Sequence, residues 1–394
     1  MREAVIIEAV RSPGGRYKKG GLADTRAEDI GIQVIKGLMK RVPQIKPEEV
    51  DDLIVGCAFP EAEQGMNVAR VLVLGAGLPI ATCGMTVNRF CSSGLQAIAD
   101  ATAKIRVGWS DCIIAGGMES MSHIPMGGVM FRPMPEWGDR PNTYVSMGVT
   151  AENVAADYKV TREEQDRFGM ESNRKAHEAI QSGKFKEEIV PIEAVRFKKD
   201  AKGRCVKERF LFEMDDGVRW PTTMESLGKL RPAFKEGGTV TAGNASQMTD
   251  GAAFSMLVSD EKARKLGLKP LAKLTHYAVV GVKPEEMGVG PAYAIPKVLA
   301  MAGLKTDDID VFEINEAFAS QAWYCVRELG LEKRAEKDVN PNGGAVALGH
   351  PLGATGAKLT AQLLHELRRR GGKRGIVSMC IGGGMGAAGI YEML

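Results

Sequence analysis

A cysteine stands where a strand-like run meets a helix-like run in Thr86-Val87-Asn88-Arg89-Phe90-Cys91-Ser92-Ser93-Gly94-Leu95-Gln96-Ala97-Ile98. Apolar residues recur at Leu95 and Ile98, the spacing of the inner face of a helix. The pattern predicts a first helical turn from Cys91 to Gly94, where unpaired amides and the helix dipole favour a thiolate. We therefore expect Cys91 to be an activated nucleophile. The alternative is a packing residue, since cysteine is among the most buried residue types.

The composition indicates an ordinary globular protein in a reducing compartment. The chain has 394 residues, 44% of them hydrophobic, and its 52 basic and 49 acidic residues are well mixed, so nucleic acid is not an expected partner. Seven scattered cysteines without a CxxC pair argue against a disulfide framework and against a zinc site. No apolar run reaches the ~20 residues that span a bilayer, and the N-terminus does not resemble a signal peptide. The cytoplasm is the predicted location.

The order of the predicted elements indicates an internal duplication. A helix, a short lead-in and a buried strand occur at 30–39, 47–52 and 53–57, and again at 294–303, 306–310 and 311–314. The strand at 111–117 has a counterpart at 374–384. Over the first 120 residues, strands that alternate with helices predict a parallel sheet covered on both faces. We therefore expect two α/β halves whose sheets pack through shared helices.

The region between the halves differs from them in composition. It contains an amphipathic helical segment at 152–182 and a predicted exposed hairpin at 197–212. The expected domains are an N-terminal α/β half at 1–119 completed by part of 245–268, an inserted loop domain at 120–244, and a C-terminal α/β half at 269–394. An insert of this size is expected to cover a site. Its methionines either line an adaptable apolar channel or fill irregular core, and they are Met118, Met121, Met126, Met130, Met134 and Met147.

A base for the cysteine is predicted in Gly344-Ala345-Val346-Ala347-Leu348-Gly349-His350-Pro351-Leu352-Gly353-Ala354-Thr355-Gly356. His350 stands at the tip of a glycine-rich turn before a helix, at the duplicated counterpart of Cys91. The two halves would therefore bring both helix starts together. A lone histidine is more often structural, but Pro351 and the glycines fix a special backbone path that packing alone does not require.

Two further stretches place polar or reactive groups at the ends of buried strands. Cys380 ends a core strand, and Gly382 with its neighbouring glycines lets backbone amides approach a ligand. Glu313-Ile314-Asn315-Glu316 brings polar side chains to the end of another strand, where α/β folds hold ligands. Taken alone, a strand-end cysteine is usually core, and a glycine run is usually a tight turn.

Together these four stretches resemble the signature blocks of the thiolase family, in the same order and at similar spacing. The blocks are Asn88-Arg89-Phe90-Cys91-Ser92-Ser93-Gly94, Asn315-Glu316-Ala317-Phe318-Ala319, the loop 343–356 and Cys380-Ile381-Gly382-Gly383-Gly384. The resemblance covers nearly the whole chain. It implies an α/β fold with a duplicated, five-layered αβαβα core and an inserted loop domain.

The resemblance also implies catalytic roles. Cys91 would be acylated by a thioester substrate while His350 accepts its proton, and Cys380 would move the α-proton of the acetyl unit. His350 and a water held by Asn315 would stabilise the enolate. The backbone amides of Cys91 and Gly382 would form a second oxyanion hole.

Coenzyme A is the co-substrate that the resemblance implies, together with acyl-CoA, and no metal or tightly bound cofactor is expected. Residues 230–234 and 239–246 resemble the binding segments of the family's loop domain. Arg219 and Ser246 are predicted to contact the adenine and pantetheine ends of the cofactor, and simple turn residues are the alternative. The expected assembly is a homodimer, a homotetramer or a complex with other β-oxidation enzymes.

Cys380 favours a thiolase over the competing enzyme classes. Decarboxylating ketoacyl synthases typically use further His or Asn in place of the second cysteine, and nothing here resembles the cysteine signature of a cysteine protease. A non-catalytic thiolase-like lipid carrier is a remote alternative, and an acetoacetyl-CoA thiolase that condenses acetyl-CoA is a nearer one. Ser146 stands before Met147 where short-chain biosynthetic members usually have a histidine. The sequence therefore predicts thiolytic cleavage of 3-ketoacyl-CoA in fatty-acid β-oxidation, with medium or long chains preferred.

Overall fold

The computed structural model describes residues 2–134 and 142–394, so a short part of the predicted insert lies outside the described residues. The strands are β1 Ala4–Arg11, β2 Gly15–Arg16, β3 Asp52–Gly56, β4 Cys83–Val87, β5 Cys112–Ser120, β6 Ile192–Lys199, β7 Cys205–Phe212, β8 Thr249–Ser259, β9 Ala272–Gly281, β10 Val311–Ile314, β11 Arg374–Ile381 and β12 Met385–Met393. The α-helices are α1 Ala27–Arg41, α2 Val68–Ala76, α3 Ser93–Arg106, α4 Met147–Asp157, α5 Arg162–Gln181, α6 Met224–Gly228, α7 Asp260–Lys265, α8 Gly290–Ala302, α9 Ala319–Glu328, α10 Ala345–Leu348 and α11 Thr355–Arg370. Within these ranges, no helix combines the length and the apolar character that crossing a membrane requires.

One large sheet runs through the molecule in the order β10-β11-β12-β9-β1-β8-β5-β3-β4, and β2 pairs with β8. β1 and β9 meet through one antiparallel pair, Ile6 with Ala272. The sheet therefore divides at this joint into a first part, from β4 to β1, and a second part, from β9 to β10.

The two parts repeat one strand order, which confirms the duplication in the predicted fold. Short 3-10 turns, Pro47–Glu49 and Thr306–Asp308, precede β3 and β10 as the sequence predicts. β3 lies beside parallel β5, followed by β8 and β1, while β10 lies beside parallel β11, followed by β12 and β9. At the place that β4 takes in the first part, Phe312 forms an isolated parallel bridge with Val339.

The sheet as a whole is mixed, although the parallel arrangement predicted for the first 120 residues holds for the strands that pair there. β3, β4 and β5 are parallel, but β8 is antiparallel to both β5 and β1. The whole insert lies between β5 and β8, so no short crossover helix fixes their relative direction. Periodicity shows that a strand is buried on both faces but does not report its direction.

Five layers follow from the way the core residues cluster. α1 and α2 cover the outer face of the first part through residues such as Ile35 and Leu72. α3 and α11 lie between the two parts and contribute Ile98 and Leu363. α8 covers the outer face of the second part with Val298. The predicted αβαβα core is confirmed, and its central helix pair begins beside the predicted site.

The insert contains the elements that the sequence predicts for it. The exposed hairpin is confirmed as β6 and β7, paired antiparallel from Ile192 with Phe212 to Lys199 with Cys205. The amphipathic segment forms α4 and α5. The domain limits proposed from the sequence stay a prediction.

The methionines of the insert do not form one channel. Met118 and Met121 are buried in the core, whereas Met126 and Met130 are largely exposed. Met147 faces the predicted site, since its sulfur lies 3.7 Å from where a Cβ on Gly382 would stand. Composition identified the residue type, but the irregular backbone of the segment decides where each side chain points.

Candidate active site

Cys91 lies in a 3-10 turn, Phe90–Ser92, immediately before α3. The α-helix therefore begins two residues later than the sequence predicts. Asn88 Oδ1 accepts a hydrogen bond from the Phe90 amide at 2.8 Å, and Ser93 Oγ accepts one from the Arg89 amide at 2.9 Å. These side chains satisfy backbone donors in a non-helical conformation, which delays the helix and presents Cys91 on a sharp turn.

The sulfur of Cys91 is buried beside two backbone amides. Only 8% of the residue is exposed, and the amides of Gly382 and of Cys91 itself stabilise a charge on the sulfur. Burial nevertheless dominates and raises the pKa of the Cys91 thiol to about 12. The predicted low-pKa thiolate is therefore wrong for the resting site. The second half of the chain covers the helix start, where a Cβ on Gly94 would lie 2.9 Å from the Ala357 nitrogen.

Gly382 belongs to the glycine turn that joins β11 to β12. Gly383 and Gly384 have φ values of 82° and 87°, which favour glycine. A Cβ on Gly384 would also lie 2.4 Å from the carbonyl oxygen of Val282. A Cβ on Gly382 would stand 3.6 Å from the Phe90 ring, so the turn lies directly against the Cys91 turn. The structure thus brings together the two amides predicted for an oxyanion hole.

His350 lies in the loop between α10 and α11 with 4% of its surface exposed. Its Nδ1 is 2.6 Å from Thr355 Oγ1, and that hydroxyl donates its hydrogen to the Pro351 carbonyl at 2.9 Å. Nδ1 must therefore be the donor to Thr355. Nε2 keeps its lone pair and accepts from Asn315 Nδ2 at 3.3 Å. The ring is held as the tautomer in which Nε2 can act as a base.

The imidazole of His350 is neutral at physiological pH. Burial, and after it the positive charge of Lys358, lowers its pKa to about 3. The 3-10 turn Leu352–Ala354, which follows His350, packs against the turn that carries Cys91. A neutral base and a protonated thiol therefore lie in adjoining turns.

Cys380 ends β11 and is completely buried in a cluster that includes Met287 and Phe318. Burial and then the proximity of Cys91 raise its pKa well above the ordinary range. Asn315 follows β10, and its Oδ1 finds no hydrogen-bond partner in the described parts of the chain. The predicted thiols and amides therefore converge on one point, with His350 and Asn315 beside it.

Glu119 is a site residue that sequence reasoning missed. It is 1% exposed, and its carboxylate accepts the amides of Ala58 at 2.7 Å and Gly353 at 2.9 Å. It thereby ties the end of β5 to the loop that follows His350. The available signal in the sequence was a charged residue, Glu119, immediately after the apolar run 112–118.

Glu316 supports the same site from the second half. The sequence marked it as a polar group at a strand end without assigning it a role. Its carboxylate accepts from Ser172 Oγ at 2.6 Å, Asn340 Nδ2 at 2.9 Å and the Val346 amide at 3.1 Å. It therefore holds α5 of the insert and α10 beside the strand end that carries Asn315.

Ser246 lies on the loop that leads from α6 to β8, and Arg219 lies before α6 and contacts that loop. Arg219 Nη1 donates to the Ala242 carbonyl at 2.9 Å, and the Ser246 amide donates to the Ala317 carbonyl at 2.9 Å. The next residue, Gln247, accepts the His350 amide at 3.0 Å. Both residues predicted to bind coenzyme A are thus linked through this loop to the His350 turn.

Comparison with known proteins matches residues 4–261 to the family described as thiolase, N-terminal domain, and residues 268–393 to the thiolase C-terminal domain. The chain belongs to the thiolase family. This thiolase is 52% identical to the 3-ketoacyl-CoA thiolase of Bacillus subtilis, with all of both chains covered. It is 47% identical to the peroxisomal 3-ketoacyl-CoA thiolase A of Mus musculus, covering 99% of this chain and 91% of the mouse protein.

A solved structure extends the comparison of this thiolase to three dimensions. The Bacillus anthracis acetyl-CoA acetyltransferase superposes with a TM-score of 0.89 at 40% identity, covering 100% of this chain and 99% of the other. The thiolase fold and family membership therefore rest on both sequence and structure.

Proposed function

We propose that this thiolase cleaves 3-ketoacyl-CoA with coenzyme A to give acetyl-CoA and a shortened acyl-CoA. The observation that carries the proposal is the convergence of Cys91, Cys380 and the Gly382 amide, with His350 in the adjoining turn. Two relatives with nearly full-length matches bear the name 3-ketoacyl-CoA thiolase. A non-catalytic carrier would not need two thiols, a base and preorganised amides at one point.

The first half-reaction transfers the acyl group to the enzyme. The Cys91 sulfur attacks the 3-keto carbon while His350 Nε2 takes the thiol proton. The amides of Cys91 and Gly382 stabilise the oxygen of the adduct, and such a donor is worth about 3 kcal/mol in a transition state. The bond between C2 and C3 then breaks, and its electron pair forms the enolate of acetyl-CoA. Cys380 donates its proton to C2, which releases acetyl-CoA.

The second half-reaction returns the enzyme to its resting state. The Cys380 thiolate takes the proton of an incoming coenzyme A, whose sulfur attacks the acyl carbon on Cys91. The Cys91 thiolate leaves and recovers its proton from His350. We assign stabilisation of the enolate oxygen to His350 and to a water held by Asn315, whose Oδ1 is an unpaired acceptor among the described residues.

The resting protonation states favour a concerted first step. A thiol of pKa about 12 and an imidazole of pKa about 3 do not form a stable ion pair. Proton transfer to His350 is therefore coupled to formation of the sulfur–carbon bond, in which the negative charge moves to the oxygen held by the two amides. This coupling keeps Cys91 unreactive until a carbonyl occupies the site.

We propose medium or long acyl chains as substrates. Ser146 is the N-cap of α4, where its side chain accepts from the Val149 amide, and it is much smaller than the histidine of short-chain members. Beside Cys380 lie Met147, Met287 and Phe318, flexible or flat apolar groups that suit an alkyl chain. The alternative is an acetoacetyl-CoA thiolase, which the acetyl-CoA acetyltransferase structure favours.

Thiolytic rates across 3-ketoacyl-CoA chain lengths test the proposal. Each buried methylene contributes up to ~0.8 kcal/mol, so kcat/KM should rise clearly from C4 to C8 substrates. A profile that peaks at C4 and falls beyond it would assign the chain to the acetoacetyl-CoA thiolases. Absence of any coenzyme A-dependent turnover would support a non-catalytic carrier.

The proposed co-substrate site lies on the insert. Arg219 and Ser246, together with 230–234, are assigned to coenzyme A, because the loop of Ser246 contacts the His350 turn through Gln247 and Arg219 donates to Ala242 on the same loop. The division at 1–119, 120–244 and 269–394 remains the proposed domain plan, with 245–268 completing the first half. Free thiols at all seven cysteines fit a reducing compartment, and we propose the cytoplasm.

We also propose a homodimer formed through β4. This strand ends the sheet and pairs with β3 alone among the described residues. Met66 and Ile80 flank it with 95% and 82% exposure, and Val71 and Leu74 of α2 are about half exposed. An unprotected edge strand with an apolar surround is typical of an association surface.

A further inference from the structure

A buried lysine holds the loop that carries His350. Lys358 lies in α11 with 4% of its surface exposed. Its Nζ donates to the carbonyls of Leu348 and Gly349, each at 2.8 Å. These are the last two residues before His350, so the lysine fixes the backbone from which the imidazole projects.

The carbonyls of Leu348 and Gly349 need such a donor, because Gln247 Nε2 donates to the carbonyls of Val346 and Ala347 instead. α10 comprises four residues, Ala345–Leu348, all of them buried, and its last carbonyls have no helical continuation. Gly349 turns the chain with a φ of 81°. A Cβ at Gly349 would lie 2.1 Å from Thr249 Oγ1, so the turn is closely packed. A buried carbonyl without a donor destabilises the folded state, so loss of Lys358 should loosen this turn.

The charge of Lys358 is not cancelled by a direct ion pair. Two nearby carboxylates are engaged by Arg11, through Asp215 at 2.8 Å and Glu188 at 2.6 Å. In the described chain, no carboxylate contacts Lys358 Nζ, whose hydrogen-bond partners are both neutral carbonyls. The ammonium therefore remains a source of positive potential next to the His350 loop.

We propose that Lys358 is a positioning residue of this thiolase, which aims His350 through the Leu348 and Gly349 carbonyls and adds its positive charge to the burial that disfavours an imidazolium at this position. The proposal rests on the function proposed above. The positive charge of Lys358 disfavours a second positive charge on the imidazole and therefore lowers the pKa of His350. Burial lowers the pKa of Lys358 itself to about 8, so it is largely charged at neutral pH.

The remaining titratable groups around His350 do not supply this positive charge. Cys91 and Cys380 are thiols with raised pKa values, which leaves them uncharged at rest. Glu119 and Glu316 are carboxyls bound to the same loop system, and any negative charge on them would favour the imidazolium. Burial, and after it the charge of Lys358, therefore disfavours the imidazolium form of His350.

The direct test is a titration of the five histidines by nitrogen-15 NMR in wild type, Lys358→Met and Lys358→Arg, with His350→Gln to assign the signal. We expect the ratio of protonated to neutral His350 at pH 4.5 to be about tenfold higher in Lys358→Met, which corresponds to a pKa rise of about one unit. Lys358→Arg should match wild type. An equal protonated fraction in Lys358→Met and wild type would overturn the proposal.

Lys175→Met is the matched control. Lys175 Nζ also donates to two backbone carbonyls, those of Ala335 at 2.8 Å and Val339 at 3.1 Å, and burial lowers its pKa. This variant should lose stability in a similar way without moving the His350 titration. A shift of equal size in Lys175→Met would show that the effect is general loosening, and would also overturn the proposal.

Two further measurements keep the outcome decisive. Lys358→Gln retains a donor but loses the charge, and it should raise the protonated fraction of His350 even if the methionine variant does not fold. In thiolysis assays, the methionine variant should lower kcat more than it raises KM, with an acid limb moved to higher pH, and arginine should restore both. The NMR titration needs no turnover, so failure of the proposed thiolysis reaction and failure of the Lys358 proposal are distinguished.

Discussion

Two thiols share one buried site, and their environments divide the chemistry between them. Cys91 has two amides directed at its sulfur, which suits a residue that forms a covalent adduct. Cys380 has its own amide but lies deeper, where Cys91 also disfavours its ionisation. A group in this environment suits brief proton transfer better than accumulation of charge.

Replacing each thiol should therefore give a different kinetic defect. Cys91→Ala should abolish formation of the acyl-enzyme, because the bond-forming sulfur is lost. Cys380→Ser should still trap a labelled acyl group on Cys91 yet lose thiolysis by orders of magnitude, because a serine hydroxyl is a much weaker acid. Mass spectrometry of the trapped enzyme and exchange of the acetyl α-protons measure the two steps. Normal turnover by Cys380→Ser would contradict the assigned role.

Alkylation of Cys91 should follow the raised pKa of its thiol. With a pKa of about 12, the thiolate is a minute fraction at pH 8 and increases about tenfold with each pH unit, so the rate with iodoacetamide should climb throughout. The measurement belongs in a Cys83→Ser, Cys205→Ser background, because these two cysteines are exposed. A plateau below pH 9 would restore the activated thiolate that the sequence predicts.

The candidate site residues could be selected from the sequence, but their ionisation could not be predicted from it. Cys91, His350 and Cys380 stand beside glycines and strand ends, which are local signals. The pKa of Cys91 is raised by burial and lowered by the Gly382 amide, and Ala357 packs over Gly94 at the same helix start. Both Gly382 and Ala357 are more than 200 positions from Cys91 in the sequence. Lys358 and Glu119 likewise act on the site through contacts between distant segments.

Among the secondary-structure elements, the starts of α3 and α11 form the centre of the site. Each follows a 3-10 turn, Phe90–Ser92 or Leu352–Ala354, and the two turns pack together. The sequence predicted both helices but placed α3 two residues early, because the capping bonds of Asn88 and Ser93 depend on the turn geometry. The carboxylate of Glu119, at the end of β5, accepts the Gly353 amide and so stabilises this junction.

Glu119→Gln should weaken both the junction and catalysis. The carboxylate accepts hydrogen bonds from the backbone amides of Ala58, Phe59 and Gly353. In the glutamine variant, the side-chain NH2 would face one of these N–H donors, and that hydrogen bond would be lost. We expect a loss of about 2–3 kcal/mol in unfolding free energy and a lower kcat as Gly353 shifts. Urea denaturation measures the first effect. The exposed Glu225→Gln should change stability by less than ~0.5 kcal/mol, and equal losses in both variants would refute the role of Glu119.

For the whole molecule, duplication explains why the site lies between two similar halves. The matching lead-ins, Pro47–Glu49 and Thr306–Asp308, made the repeat visible in sequence. The direction of β8 was not visible, because burial on both faces gives a parallel and an antiparallel strand the same apolar run. The free edge at β4 was also hidden, since strand order depends on long-range pairing.

The free edge of β4 and the apolar side chains around it are the proposed dimer surface. If β4 and its apolar surround form the dimer surface, Met66→Lys with Ile80→Lys should place two charges in a dry interface. Loss of each buried side chain removes about 1.5 kcal/mol or more of association, so the dimer Kd should rise by about 100-fold. Sedimentation velocity across a dilution series measures this. Leu211→Lys, on the exposed hairpin strand β7, is the control and should leave the Kd unchanged. A dimer equally stable in the double variant and the control would place the contact on another face.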